Sequence, residues 1–75
     1  MAILMFYEKV EETESEVRYL YGDPEPNRYL TIAKDRTNYR VEDGQEDYGT
    51  EAVLLGILRK YRELDRWPEN GAVQH

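Results

Sequence analysis

Up to about residue 47 the apolar positions fall in short runs or alternate with charged ones, and beyond it they recur every three or four residues. The first spacing is that of pleated strands, the second that of one helical face. Residues 3–10, Ile-Leu-Met-Phe-Tyr-Glu-Lys-Val, open apolar and turn polar, a composition that favours a strand. Glu11-Glu12-Thr13-Glu14-Ser15 has no apolar anchor and reads as a solvated hairpin loop. Glu16 to Tyr21 alternates at first and makes a second strand. Gly22-Asp23-Pro24-Glu25-Pro26-Asn27 then gathers turn formers: its prolines fix φ and withhold N–H donors, so no strand crosses it. Arg28 to Lys34, carrying Tyr29, Leu30, Ile32 and Ala33, makes a third strand, and Asp35-Arg36-Thr37-Asn38 the turn after it. Tyr39 and Val41 alternate with Arg40 and Glu42, which leaves a short fourth strand open at 39–42.

The helical spacing belongs to Val53, Leu54, Ile57, Leu58, Tyr61 and Leu64, one broad apolar stripe. Thr50 is a candidate N-cap with Glu51 beside the positive end of the dipole, and Asp47 competes for that role if the helix starts earlier. Arg59, Lys60, Arg62 and Arg66 load the other end with cations, and Pro68 and Gly71 stop the helix. Gly56 costs about 1 kcal/mol relative to Ala inside a helix, which points to close approach of the sheet or to simple tolerance. Strands joined by short polar turns usually pair as neighbours. The expected class is therefore α+β: a three-stranded antiparallel meander, four-stranded if 39–42 joins, packed on one C-terminal helix. Residues 1–68 make a single β-β-β-α domain, and 69–75 are expected to fray.

With 75 residues and no Cys, the core must stabilise itself without disulfides, thiolate zinc sites or redox chemistry. The apolar fraction of 40% is ample for folding despite 35% charged residues. The apolar opening run is too short for a membrane span or a leader, so no membrane role and a cytoplasmic location are expected. The net charge of −6 is uneven: residues 1–50 hold twelve acids against six bases, and 51–75 hold four of each. Nucleic-acid affinity rests on cations displacing counterions from phosphates, so an acidic sheet half argues against DNA or RNA as partner.

Catalytic chemistry finds few candidates. His75 is terminal, and Ser15 sits in the acidic loop with no base beside it. The glycines match neither phosphate-binding pattern, and Asp43-Gly44-Gln45-Glu46-Asp47 departs from the order of a calcium loop. No catalytic residue, metal site or cofactor is expected.

Seven tyrosines are the remaining feature. Strand parity sets Met5 with Tyr7, Tyr19 with Tyr21, and Tyr29 with Thr31 and Ala33, while Leu4, Phe6, Leu30 and Ile32 make a natural lining for the helix. If register brings them together, Ile3, Met5, Tyr7, Tyr19, Tyr21 and Tyr29 form a second face that one helix cannot also cover. Trp67 follows Leu64 at helical spacing and serves as a lid on the sheet edge or as a partner anchor. Met5, Tyr7, Tyr19, Tyr21, Tyr29 and Trp67 are thus the expected interaction surface. The function expected is a non-enzymatic protein-interaction module, self-associating as a homodimer through a sheet face or edge. The rival is a small-ligand-binding or accessory catalytic subunit with a pocket between sheet and helix.

Overall fold

The computed structural model describes residues 4–22, 27–44 and 48–74, and shows one helix on a five-stranded antiparallel sheet. The strands are β1 (Leu4–Glu12), β2 (Glu16–Gly22), β3 (Arg28–Ala33), β4 (Tyr39–Val41) and β5 (Asn70–Gln74), with α1 (Tyr48–Leu64) between the last two. Their order across the sheet is β4-β3-β2-β1-β5. The α+β class and the antiparallel sheet stand as expected, and the short strand at 39–41 forms. The plain meander does not: α1 carries the chain from one edge of the sheet to the other, where β5 pairs with β1 from Leu4↔Gln74 to Glu8↔Asn70.

β5 is the largest departure from the expected fold, since 70–74 reads as a frayed tail. Two glycines make it possible. Gly56 on α1 lies so close to Val73 that a Cβ there would collide with the Val73 side chain. Gly71 in β5 leaves the space that the Tyr7 ring occupies. Close approach, rather than tolerance, is the reason for a glycine within the helix.

Hairpin β1–β2 closes at Thr13, whose N–H donates to the Glu16 carbonyl at 2.8 Å and whose hydroxyl accepts from the N–H groups of Ser15 and Glu16. β1 therefore runs to Glu12, two residues further than its apolar content suggests. Glu12 is no loose loop acid: its two oxygens take Lys9 and Lys34, each at 2.7 Å. The turn at 35–38 forms as expected, with the Asp35 carboxylate accepting from the Thr37 N–H and hydroxyl. Arg36 takes a positive φ of 64° there.

Thr50 is not the helix cap. It lies inside α1, buried, with its hydroxyl 2.7 Å from that of Tyr21. Asp47, the competing cap, lies outside the described residues, as do Ile3, His75 and the proline-rich turn 23–26. At the other end Leu64 is exposed, so the apolar stripe of α1 stops at Tyr61. Asp65 adopts φ 58° and turns the chain, and the Trp67 ring comes back against Tyr61 at 4.6 Å between centroids.

The core lies between α1 and one sheet face. Val53 and Ile57 from the helix meet Met5, Tyr7, Val17, Tyr19, Tyr21, Leu30, Ile32, Val41 and Trp67. Pairing explains the membership: Tyr7↔Tyr21, Tyr19↔Leu30, Val17↔Ile32 and Leu30↔Val41 set these side chains on one side. No helix among the described residues is long and apolar enough to cross a membrane.

Candidate functional site

The six residues expected to form an interaction surface separate in the structure. Met5, Tyr7, Tyr19, Tyr21 and Trp67 are buried in the core, and Tyr29 is half-buried on the opposite sheet face. The expected face is displaced because β2 pairs Leu20, not Tyr19 or Tyr21, with Tyr29. A shift of one residue in register exchanges the faces.

Two of the tyrosines in this core have hydrogen-bond partners for their buried hydroxyls. Tyr19 donates to the Pro68 carbonyl at 2.7 Å, and Tyr21 meets Thr50. Tyr7 packs edge-on against Tyr19, with ring centroids 5.7 Å apart. Burial pushes the hydroxyl pKa of Tyr7 and Tyr19 upward, since the charged form would be poorly solvated. Trp67 takes the lid role.

The space between helix and sheet is filled by these rings and by Val53 and Ile57. Among the described residues the buried polar side chains are Thr31 and Thr50, and no acid is buried. No cluster of three or more metal-ligating side chains occurs among them either.

Two surfaces remain. The first is the sheet face turned away from α1, on which no layer packs among the described residues. Pairing sets Ala72, Phe6 and Gly22 in one row across it, and Asn70, Glu8, Leu20 and Tyr29 in the next. Phe6 is 49% exposed, large for a phenylalanine in the middle of a strand. Beyond these rows the face turns ionic. Arg18 lies 4.0 Å over the Tyr29 ring and reaches both oxygens of Glu42, and Arg40 meets Glu16 at 3.5 Å. Thr31, flanked in register by Arg18 and Arg40, is buried beneath that layer. The buried Nε of Arg18 makes no hydrogen bond. This face is thus half apolar and half covered by its own ion pairs.

The second surface is the outer side of α1. Leu55, 62% exposed, and Arg59 form a ridge with an open groove on each side. One groove, about 550 Å³, runs between α1 and β5, with Tyr7 and Gly56 in its lining and Arg59 and Lys60 beside them. The other, about 630 Å³, runs between α1 and the 35–38 turn and is lined by Asp35, Arg36, Leu55, Leu58, Arg59 and Arg62. Sequence reasoning passed over Phe6, Leu20 and Leu55. By parity Phe6 falls with the residues expected to line the helix, Leu20 is placed on neither face, and Leu55 lies outside the helical stripe. That last misfit is itself a signal, since a large apolar residue off the buried stripe is one the core does not use.

No protein-family model matches this chain, and no curated protein or solved structure matches it.

Proposed function

We propose that the chain is a non-enzymatic protein-interaction module that self-associates as a homodimer through the sheet face opposite α1. The observation that supports this reading most is Phe6, half exposed in mid-strand beside Ala72, Leu20 and Tyr29 on a face that no layer covers among the described residues. An apolar patch with a polar rim is what a partner covers at a protein interface. A two-fold arrangement lets this patch meet its own copy while the Arg18–Glu42 and Arg40–Glu16 pairs stay at the rim. A molecule of 36 × 27 × 19 Å has room on a broad side for the roughly 800 Å² per partner that a standard interface buries.

Sedimentation velocity across a concentration series tests the proposal. The wild-type chain is expected as a dimer at micromolar concentrations, and Phe6→Lys as a monomer with an unchanged circular dichroism spectrum. A wild-type chain that stays monomeric at high micromolar concentration overturns it.

A further inference from the structure

We propose that the groove on the outer side of α1 bounded by Arg36, Arg59 and Arg62 receives an acidic, apolar-bearing segment of another protein. This extends the reading as an interaction module but does not depend on self-association, because the groove and the uncovered sheet face lie on opposite layers of the molecule.

The charge distribution carries the inference. In a chain with sixteen acids and ten bases, every base has acids to pair with. Lys9, Arg18, Arg28, Lys34, Arg40 and Lys60 all do so. Arg59 and Arg62 make no ion pair among the described residues, and Arg36 lies over the Tyr61 ring at 5.2 Å. Asp35, the one acid in the lining, is hydrogen-bonded by Thr37 and makes no ion pair with these arginines among the described residues. Three guanidinium groups therefore line the same groove as Leu55 and Leu58, none of them in an ion pair among the described residues, against a single carboxylate.

Such a lining selects the occupant. Arginine favours carboxylates, which it can bind through two parallel hydrogen bonds. The leucines favour an apolar side chain between those carboxylates. Nucleic acid is disfavoured, since a molecule of net charge −6 repels a polyanion that approaches it. A second copy offering its Glu11–Glu14 segment would contact a different surface from its own. A head-to-tail contact of that kind builds rings or open chains.

Fluorescence anisotropy with the full chain tests this. The probe is a labelled peptide of aspartates and glutamates around paired leucines; its controls replace the acids with Asn and Gln, or with Lys. Saturable binding of the acidic peptide is expected, weakening as salt rises. Arg59→Glu and Arg62→Glu are each expected to weaken it about tenfold, and the double variant to prefer the lysine peptide. That reversal of preference separates lost recognition from lost folding. Should the double variant lose its helical signal, Arg59→Gln and Arg62→Gln take its place, with weakened binding expected of each. Amide shifts on peptide addition are expected around Leu55 to Arg62. The proposal is overturned by absence of saturation, by equal affinity for the Asn/Gln peptide, by affinity unchanged in the variants, or by shifts centred on Phe6 and Leu20. It is equally overturned if the unliganded chain forms concentration-dependent polymers that Arg59→Glu dissolves. A strictly monomeric chain that binds the acidic peptide would remove the dimer and leave this site standing.

Discussion

Both faces of the sheet carry aromatic side chains and put them to different use. On the side of α1, Tyr19 and Tyr21 lie in the core with their hydroxyls bonded to Pro68 and Thr50, and Tyr7 packs edge-on against Tyr19. On the other side Tyr29 is half-buried under a guanidinium, its hydroxyl making no hydrogen bond among the described residues, and Phe6 is half exposed. Aromatic content alone therefore does not mark an interaction surface. What matters is whether the fold supplies a covering layer for each ring.

The largest contrast is in packing. Ile57→Ala removes a side chain with no solvent exposure and is expected to cost about 2–5 kcal/mol in urea denaturation. Phe6→Ala, measured on dilute protein, is expected to cost less than about 1 kcal/mol, because half of its surface is already in water. Similar losses at the two positions would break the distinction between the faces.

Next in size is the contact of helix with edge strand. Gly56→Ala would gain about 1 kcal/mol of helix propensity in isolation, yet the new methyl group meets Val73. The expected net result is destabilisation of about 1–3 kcal/mol, as for overpacked cores, relieved when Val73→Ala is added. A Gly56→Ala chain that gains stability would mean that β5 does not sit against the helix.

A smaller difference separates the hydroxyls. Tyr19→Phe leaves the Pro68 carbonyl without its donor and is expected to cost about 1–2 kcal/mol. Tyr29→Phe is expected to change stability by no more than about 0.5 kcal/mol.

The pH response should separate surface from core with the smallest effects. Hydrogen bonds from Lys34 and then Lys9 hold the Glu12 carboxyl below its ordinary value of 4.5. A folded value below the unfolded one means that its contribution is complete above that pH and is lost as pH falls through the folded value. Tyr19 behaves oppositely: burial raises it above 10.0, so its contribution is complete below that pH and is lost as pH rises beyond it. Denaturation midpoints measured across both limbs are expected to show a shallower acid limb for Glu12→Gln and a shallower alkaline limb for Tyr19→Phe.

Much of the fold is legible in the residues, and the losses have identifiable causes. The fourth strand, at 39–42, is too short for its alternation to decide, while the helix and the first three strands announce themselves by pattern. β5 does not: Asn70-Gly71-Ala72-Val73-Gln74 is short and carries little apolar content, and it pairs because Gly71 and Gly56 let it approach Tyr7 and α1. The sheet faces are ambiguous in β1, where Leu4 and Phe6 compete with Met5 and Tyr7 on equal terms. β2 held the better clue. Val17, Tyr19 and Tyr21 share a parity flanked by Glu16 and Arg18, and following that alternation would have placed the tyrosines in the core. The arginine-rimmed groove was hidden for another reason: which bases lack acids is decided by tertiary pairing, as Arg28 with Asp43 shows across fifteen residues of chain.

The central claim, that the uncovered face meets a second copy of itself, is tested most directly by an isotope-filtered NOE experiment on a sample mixing labelled and unlabelled chains. Intermolecular contacts are expected from Phe6, Leu20 and Tyr29, and none from Tyr19, Tyr21 or Leu55. Intermolecular contacts centred on Leu55, or none at concentrations where the protein is dimeric by sedimentation, would contradict it.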